Sequence, residues 1–413
     1  MKGREIVTKR HALIILYAVI VAVILGVLAG WFMGPFALKF SWMGTLFLNA
    51  LKMVVVPLII AAIISGISSL GDIRKLGKPG SATLIYFMAT MMISATVGMI
   101  LTEILNPGQD FHLTSATAEV NINQSVSMGD VLLSLISPNI VASATNFEIL
   151  PLIVFSMIFG AALTVVGEKG RLVTDFFESL NNIMMVIVGW VMFLSPFGVF
   201  ALVSTPIAEA GGGDAVIATF NAVGSYMGTV FVGLIIQSML LFMLLYLLSG
   251  RGLAYLRNMI PALITAMSTS SSSATVPLSM DCAKNSGLAR EPIRLVIPLG
   301  STVNMNGTAL YQGVATIFLA QVYNIDIGFG DHFLIALTAA MAAIGSAGIP
   351  QGGHVMTLML FSVVGIPAEG FGLILAVDWI LDRARTTLNV WGDLVGAALI
   401  DRLMYGKNKG FDA

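Results

Sequence analysis

The chain has 413 residues, of which 57% are apolar and only 10% are charged, and its mean hydropathy is +0.92. Because soluble proteins carry about 25% charged residues, this composition excludes an ordinary soluble domain and indicates a polytopic membrane protein. The net charge of −1 gives no indication of a nucleic-acid partner. The single cysteine, Cys282, excludes an intramolecular disulfide.

Apolar segments follow one another along the chain, and several exceed the roughly 20 residues that one helical crossing requires. The fourth is interrupted by "SPN" and "FEILP", which predicts a broken span. The first is predicted as a span rather than a cleaved signal peptide, because it is too long for one. The segments are 11–33, 43–70, 82–106, 131–166, 172–209, 216–249, 253–283, 290–323, 331–365 and 367–403.

Basic residues are unevenly distributed between the connections of these segments. Most of the 21 Lys and Arg residues lie in alternate connections, and the others have almost none. The connection 107–130, for example, has no Lys or Arg but contains Asp110, Glu119 and Asp130. The positive-inside rule places the basic connections and both termini in the cytoplasm. We therefore expect a multi-pass protein of the plasma (inner) membrane.

Segments 253–283 and 331–365 are predicted as re-entrant hairpins. Basic residues flank the first on both sides and acidic stretches flank the second, so each enters and leaves the membrane on one face. Helix-breaking residues form the first tip, "STSSSSATVP" (268–277), and the second tip, "GSAGIPQGG" (345–353). Broken backbone at membrane depth survives where protein or a water-filled cavity satisfies it. Two opposed hairpins, each followed by a span, form an inverted repeat that is typical of transporters.

These patterns predict an all-α polytopic membrane protein with eight transmembrane helices plus two re-entrant helical hairpins. The site is expected where the tips meet two further polar stretches, "NMNGT" (304–308) and "DWILDRARTTLNVWGD" (378–393). The tips would offer helix N-termini, which favour anions. "NMNGT" offers amide and hydroxyl oxygens and a glycine that permits unwinding, which suits a small hard cation. A flexible linker is the alternative interpretation of the serine run.

The charged stretch of the last segment allows two interpretations. Helical spacing puts Asp378, Asp382, Arg385 and Asn389 on one face. One interpretation is an internal salt-bridge ladder, in which Asp382 pairs with Arg385 or Asp378 pairs with Arg383. The other is a binding face, in which Arg385 binds a substrate carboxylate in a bidentate fork and Asp382 binds an ammonium group. The second interpretation predicts an acidic amino acid as substrate.

Two other classes of function are alternatives to transport. An intramembrane protease is disfavoured, because no Ser–Lys or Ser–His pairing and no HExxH motif is present. We therefore expect a protein that is not an enzyme. An anion-conducting channel remains the alternative of another class, although two gating hairpins favour transport.

Four motifs in this order and spacing resemble the core of the dicarboxylate/amino acid:cation symporter family, the glutamate and aspartate transporters of prokaryotic type. They are "SSSSATVPLSM", "NMNGTALYQG", "GSAGIPQGG" and "DWILDRARTTLNVWGD". "KMVVVPLI" (52–59) and "LSPFGVFAL" (194–202) extend the resemblance over nearly the whole chain. The resemblance implies a glutamate-transporter-like fold, a homotrimer and an elevator-type symporter that couples aspartate or glutamate to sodium.

The resemblance also implies two structural parts. The scaffold would comprise 1–80, with the first and second spans, and 107–212, with the fourth and fifth. The transport domain would comprise 81–106, the third span, and 213–413, which contains the sixth, seventh and eighth spans and both hairpins.

Substrate-binding residues are implied at both tips and in the seventh and eighth spans. Arg385 and Thr308 would meet the side-chain carboxylate, Asp382 and Thr386 the amino group, while Arg383 would support the first hairpin. The implied substrate-binding residues are Ser271, Ser272, Thr308, Ile349, Gly353, Asp382, Arg385, Thr386 and Asn389.

About two sodium ions are expected as coupling cations, held by oxygen atoms as a hard cation requires. Of the two sets of ligands that the resemblance implies, the first includes the carboxylate of Asp393 and the second consists largely of backbone carbonyls. The two sets are Gly300, Asn304, Asn389 and Asp393, and Thr302, Ala343, Ile344 and Ser346.

The family's third cation site is altered in this sequence. Its positions read Phe87, Thr90, Met91 and Asn306, where the family has a tyrosine, a Thr–Ser pair and an aspartate. Two oxygen donors and one negative charge are lost, so a hard cation would bind far more weakly. The third sodium is therefore expected to be missing or replaced. A proton is the alternative coupling ion, although Gln312 replaces the proton-carrying glutamate of the animal branch.

Overall fold

The computed structural model describes residues 2–68, 77–109, 111, 129, 133, 135–209, 214–344 and 353–406. Regular structure in this part of the chain is helical throughout, with no strand. Short 3₁₀ helices occupy Gly34–Phe40, Gly167–Gly170 and Ala368–Gly370. The α-helices are α1 (Lys2–Phe32), α2 (Ser41–Ser68), α3 (Gly77–Leu105), α4 (Ile140–Thr145), α5 (Ile149–Val166), α6 (Arg171–Met192), α7 (Ser195–Glu209), α8 (Asp214–Ser249), α9 (Leu253–Thr269), α10 (Ser272–Asn285), α11 (Arg290–Val303), α12 (Asn306–Val322), α13 (Phe329–Ile344), α14 (Gly353–Val364) and α15 (Phe371–Tyr405).

Four helical stretches are long and apolar enough to cross a membrane: Gly34–Ser68, Gly77–Leu105, Ile149–Met192 and Val216–Ser249. A helix joins its own backbone amides and carbonyls by hydrogen bonds, and hydrocarbon offers these groups no other partner. Apolar stretches of this length therefore form helices in a bilayer. Their outer faces carry exposed large apolar side chains that suit a lipid environment. On α8 these are Ile217, Phe220, Ile235, Met239 and Leu247. An all-helical, polytopic membrane protein is thus confirmed, while eight spans and two hairpins stay a prediction.

The predicted fourth segment, 131–166, is broken, as its sequence indicated. Helix α4 begins after Asn139, whose Oδ1 accepts hydrogen bonds from the backbone amides of Val141 and Ala142, and it ends before Asn146. Helix α5 starts at Ile149. An asparagine whose side chain caps the first turn fixes the start of a short helix in this way.

The predicted fifth segment, 172–209, contains two helices. Helix α6 ends at Met192, and α7 begins at Ser195 after a two-residue turn. Pro196 lies in the first turn of α7, where a proline is tolerated because an N–H at that position would have no partner within the helix. The hydroxyl of Ser195 closes the turn by donating to the carbonyl of Met192 at 2.6 Å.

The helices pack in two groups. In one, α1 lies against α7, and α2 lies against α5, α6 and α7. In the other, α15 lies against α8, α9, α11 and α12, while α3 lies against α12 and α13. The groups meet where α15 contacts α7 and where α14 contacts α2. The candidate site residues therefore lie in the second group, around α15.

Helix α12 forms the centre of the second group, because every residue from Asn306 to Ala320 is buried. Glycines allow α3 to approach it closely. A Cβ atom at Gly98 would lie 2.5 Å from the carbonyl oxygen of Leu310, and one at Gly313 would lie 2.5 Å from that of Ala95. Small residues at such crossings let helix backbones come together in membrane proteins. The close approach brings α3 beside the start of α12.

Candidate functional site

The first tip is a tight break between α9 and α10. Helix α9 ends at Thr269, and Ser270 follows with a left-handed backbone at φ +51°. The Ser271 hydroxyl then caps α10 by accepting the amide of Ala274 at 3.2 Å. The break thus occupies Ser270 and Ser271, within the predicted tip 268–277, and Ser272 lies buried in the first turn of α10.

The side chain of Arg383 attaches this tip to α15. Its Nη1 donates to the carbonyl of Ser268 at 3.1 Å and to that of Met267 at 3.4 Å. The last carbonyls of a helix have no partner within the helix, so a guanidinium can satisfy them. Arg383 therefore binds the first tip and does not pair with Asp378.

The predicted break 304–308 is narrower than its motif. Only Asn304 and Met305 lie outside the helices, because Asn306, Gly307 and Thr308 already belong to α12. The Oδ1 atom of Asn389 accepts the amide of Gly307 at 2.7 Å, and Asn389 Nδ2 donates to the Thr308 hydroxyl at 3.4 Å. Asn389 thereby joins the first turn of α12 to α15.

Arg385 is the centre of a buried charged cluster. Its Nη2 lies 2.8 Å from Oδ1 of Asp382, and its Nη1 lies 3.2 Å from Oδ1 of Asp378. The guanidinium carbon lies 4.1 Å from the centre of the Tyr311 ring, a cation–π contact. Of the two ladder pairings considered from sequence, Asp382 with Arg385 is present, and Asp378 pairs with Arg385 instead of Arg383.

Other predicted substrate residues surround this guanidinium. A Cβ atom at Gly353, the first residue of α14, would lie 3.5 Å from Thr308 and 3.7 Å from Nη1 of Arg385. Thr386 is buried and donates to the carbonyl of Asp382 at 2.7 Å. Gly353 and Thr308 therefore adjoin Arg385. Ile349 lies outside the described residues, as do the other residues of the second tip from 345 to 352.

His354, which is not among the predicted site residues, lies against the cluster. Its Nε2 contacts Oδ2 of Asp378, and its ring packs edge-on against Phe371 with centroids 5.8 Å apart. His354 is buried, with 3% of its surface exposed. The available signal was weak: a histidine next to the second tip and an aspartate one turn before Asp382.

Asp393 is the acidic member of the first predicted sodium site. It is buried and accepts a hydrogen bond from Nδ2 of Asn304 at 2.9 Å. Gly300 faces the same carboxylate oxygen so closely that a Cβ atom would collide with it. Within the described residues no Lys or Arg pairs with Asp393. A buried carboxylate without a basic partner, beside the end of α11, fits a hard cation such as sodium.

The other predicted cation ligands are only partly placed. Thr302 is half-buried near the end of α11, while Ala343 and Ile344 are buried at the end of α13, and these two helices are in contact. Ser346 lies outside the described residues. The second sodium site therefore stays a prediction.

The positions of the altered third cation site lie together where α3 passes the break. The Thr90 hydroxyl lies 3.5 Å from Oδ1 of Asn304, and the Ser94 hydroxyl lies 3.5 Å from Oδ1 of Asn306. Met91 Sδ accepts the amide of Met305 at 3.3 Å. Phe87 is buried among them. The side chains at these positions are neutral, so they offer a cation no negative charge.

Comparison with known proteins decides the family. A model of the sodium:dicarboxylate symporter family matches residues 15–403. The chain belongs to the sodium:dicarboxylate symporter family. Members of this family are transporters, so the chain is a membrane transporter and not an enzyme.

The relatives of this chain include excitatory amino acid transporters and neutral amino acid transporters. It is 32% identical to excitatory amino acid transporter 1 of Ambystoma tigrinum, over 95% of the chain and 84% of the relative. It is 32% identical to human excitatory amino acid transporter 3, over 94% and 85%. It is 36% identical to bovine neutral amino acid transporter B(0), over 92% and 78%. Overall similarity therefore does not choose between these two groups of relatives.

Proposed function

We propose that this protein is a secondary active symporter that carries aspartate and glutamate together with sodium. The observation that carries the proposal is the buried ion pair of Arg385 and Asp382, with Nη2 and Oδ1 2.8 Å apart. A ligand that binds between them must offer a cation to Asp382 and an anion to Arg385. An acidic amino acid offers both, through its ammonium group and its side-chain carboxylate.

The alternatives each match only one of the two charges of this ion pair. A dicarboxylate without an amino group would face Asp382 with further negative charge, and a neutral amino acid would offer Arg385 no side-chain carboxylate. Asp378 also matters, because its contact with Arg385 holds the guanidinium in place while Asp382 binds the ammonium group.

Two sodium ions are proposed as the coupling cations. Asp393, Asn304, Gly300 and Asn389 would hold one, and the carboxylate of Asp393 would supply its negative charge. The second would bind near Thr302 and the end of α13. When bound, sodium offsets the charge of the buried Asp393. The neutral surroundings of Asn306 support the proposal that a third sodium is missing.

An elevator mechanism in a homotrimer is proposed for the movement itself. The two packing groups support a scaffold of 1–80 and 107–212 and a transport domain of 81–106 and 213–413. The contacts of α15 with α7 and of α14 with α2 would then slide as the site crosses the membrane. The basic connections support insertion in the plasma (inner) membrane with cytoplasmic termini.

Uptake of labelled aspartate into proteoliposomes tests the proposal. An inward sodium gradient is expected to drive accumulation, with competition by unlabelled glutamate but not by serine or succinate. Asp382→Asn and Arg385→Cys are expected to abolish it, and the second variant to bind neutral amino acids instead. Arg171→Cys is the matched control, because that side chain is 73% exposed on α6.

Two results would contradict this function. Competition by serine or succinate as strong as that by glutamate would mean that the ion pair does not select the substrate. An anion current evoked by aspartate, without sodium-dependent accumulation, would favour the channel alternative.

A further inference from the structure

A cavity of about 280 Å³ lies where the two packing groups meet, and none of the predicted substrate or cation residues lines it. One wall is formed by α2 together with the turn before α5 and the first residue of α5, and the other by α14. Helices α2 and α5 belong to the first group, and α14 packs against both of them from the second. A molecule in this cavity would therefore contact both groups at once.

The walls of the cavity are apolar except at two positions. Ser362 is one of them, and its hydroxyl already donates to the carbonyl of Leu358 at 3.1 Å within α14. The other is Lys52 of α2, the one charged residue among the described residues that line the cavity. The cavity thus combines a single positive charge with an apolar surface. The apolar lining residues are Val55, Phe147, Ile149, Leu358 and Met359.

Lys52 lies deep in a span, and the described part of the chain gives it no partner. It follows Gly34 by 18 residues and precedes Ser68 by 16, so it is near the middle of a stretch that is long enough to cross the membrane. Its ammonium group offers three N–H donors, yet no hydrogen bond or ion pair joins it to a described residue. A charge at this depth is costly unless it is paired or reaches water. The cavity beside Lys52 is a place where an anion could pair with it.

The size of the cavity selects among amphiphilic anions. A volume of 280 Å³ corresponds to about nine groups of the size of a water molecule, at ~30 Å³ each, which suits an unbranched carboxylate of about eight carbons. A phospholipid carries two chains that each extend through about half of the ~30 Å hydrocarbon core, so its chains exceed the cavity.

We propose that this cavity binds a medium-chain fatty acid, with its carboxylate on the Lys52 ammonium and its chain against the apolar walls. An ammonium and a carboxylate form a charge-assisted hydrogen bond, which is shorter and stronger than a neutral one. The chain removes the apolar lining from contact with water. This site is separate from the amino acid site around Arg385 and from both proposed sodium sites.

The position of the cavity gives the bound fatty acid an effect on transport, and this part of the inference rests on the proposed function. Because α14 would slide past α2 and α5 as the substrate site crosses the membrane, the cavity would differ between the two arrangements of the groups. A ligand that binds one arrangement more tightly shifts the population towards it. The fatty acid is therefore expected to slow uptake without competing with aspartate.

Photolabelling of the full chain tests the binding site. The probe is octanoate with a diazirine in its chain, and the protein is reconstituted in phosphatidylcholine vesicles. Label is expected on peptides from α2 and α14, and unlabelled octanoate is expected to displace it. Octanol has the same chain without the charge, and it should compete at least about tenfold more weakly because a hydrogen bond between charged groups is lost.

Variants of Lys52 separate its charge from its bulk. Lys52→Gln keeps a hydrogen-bond donor without the charge, and its affinity for octanoate should fall about tenfold. Lys52→Arg keeps the charge and should keep the labelling. Lys39→Gln is the matched control, because that lysine is exposed on the 3₁₀ helix before α2 and lies over the ring of Phe36. The comparison of octanoate with octanol uses the wild type alone, so it does not depend on the folding of a variant.

Sodium-driven uptake of aspartate measures the effect on transport. Octanoate is expected to lower the maximal rate of the wild type, of Lys52→Arg and of Lys39→Gln, with little change in the aspartate concentration for half-maximal uptake. In Lys52→Gln the inhibitory concentration of octanoate should rise about tenfold. Leakage of the vesicles caused by the fatty acid would act on all four proteins equally, so it would not produce this difference.

The outcomes separate the inference from the proposed function. Unchanged labelling of Lys52→Gln, equal competition by octanol, or displacement of the probe by phosphatidylglycerol as readily as by octanoate would overturn the fatty-acid site. Binding at the cavity with unchanged uptake would support the site and overturn its effect on transport. Failure of the wild type to take up aspartate would overturn the proposed function, while the photolabelling would still decide the binding site.

Discussion

Asn304 donates a hydrogen bond from Nδ2 to Oδ1 of Asp393 across 2.9 Å. This contact joins the break between α11 and α12 to the most buried part of α15, because Asp393 is 2% exposed and Asn304 is fully buried. The same carboxylate is the negative charge of the proposed first sodium site. Sodium bound at the proposed site would therefore be linked to the packing of the broken backbone through Asp393.

The first prediction concerns this carboxylate. Asp393→Asn removes the charge of the sodium site while keeping its size. We expect the sodium concentration for half-maximal uptake to rise at least about tenfold, since a hydrogen bond or ligand contact to a charged group contributes about 1.5–3 kcal/mol. Sodium titration of aspartate uptake measures it. Asp175→Asn, at a 66% exposed side chain, is the control, and an unchanged titration in Asp393→Asn would refute the site.

The second prediction concerns the close approach of Gly300 to Asp393. In Gly300→Ala the added Cβ atom would collide with Oδ1, so the carboxylate must move away from Asn304. We expect loss of sodium-dependent thermal stabilisation with helical content retained. Gly189→Ala is the matched control, because nothing lies within 4 Å of a Cβ atom there. Equal sodium responses in the two variants would show that Asp393 does not bind the ion.

The third prediction tests the contact that attaches the first tip to α15. Arg383→Ala removes the hydrogen bonds to the carbonyls of Met267 and Ser268. Because bonds to charged groups contribute about 1.5–3 kcal/mol, opening of the tip should become about tenfold more frequent. The measurement is the labelling rate of Ser270→Cys in a Cys282→Ser background.

Arg294→Ala is the control for this experiment, because Arg294 is exposed on α11 and has no contact with the tip among the hydrogen bonds of the described residues. Equal labelling rates with and without Arg383 would mean that other contacts hold the tip closed.

The fourth prediction restores the missing acid. Asn306→Asp places a carboxylate among Thr90, Ser94 and Asn304, where Asn306 is fully buried. A buried charge without a counter-ion is costly, so the variant should be less stable than the wild type without sodium and should regain stability as sodium is added. Melting temperatures across a sodium series measure this. In Asn221→Asp, at an exposed position of α8, the melting temperature should rise with sodium no more than it does in the wild type. A parallel response in both variants would argue against a cation near Asn306.

The fifth prediction concerns a contact that ties the end of α15 to the loop before α11. Asp401 pairs with Arg251 at 3.1 Å and accepts the amide of Ala289 at 2.9 Å, and both charged side chains are largely buried. Asp401→Ala is expected to lower the free energy of unfolding by about 1–3 kcal/mol, because a donor loses its partner. Asp175→Ala, in an exposed pair with Arg171, should change it by less than about 1 kcal/mol. Equal losses in chemical denaturation would disprove the role of Asp401.

The class of the protein can be predicted from local features of its amino-acid sequence, and so can the residues of the candidate site. Apolar segment length and the distribution of Lys and Arg are local properties, so they predict a polytopic helical protein without knowledge of its packing. The 3.6-residue period likewise places Asp378, Asp382, Arg385 and Asn389 on one face of α15 before any partner is known.

The hydrogen-bond and ion-pair partners of the polar groups, by contrast, become known only from the packed helices. Arg385 pairs with Asp382 and Asp378 at once, and Arg383 binds tip carbonyls, although spacing alone allowed Arg383 to pair with Asp378. His354 on α14 contacts Asp378 on α15. Similarly, Asn306 on α12 contacts Ser94 on α3. Contacts between elements distant in sequence depend on how the helices pack, and no local period or spacing encodes that packing.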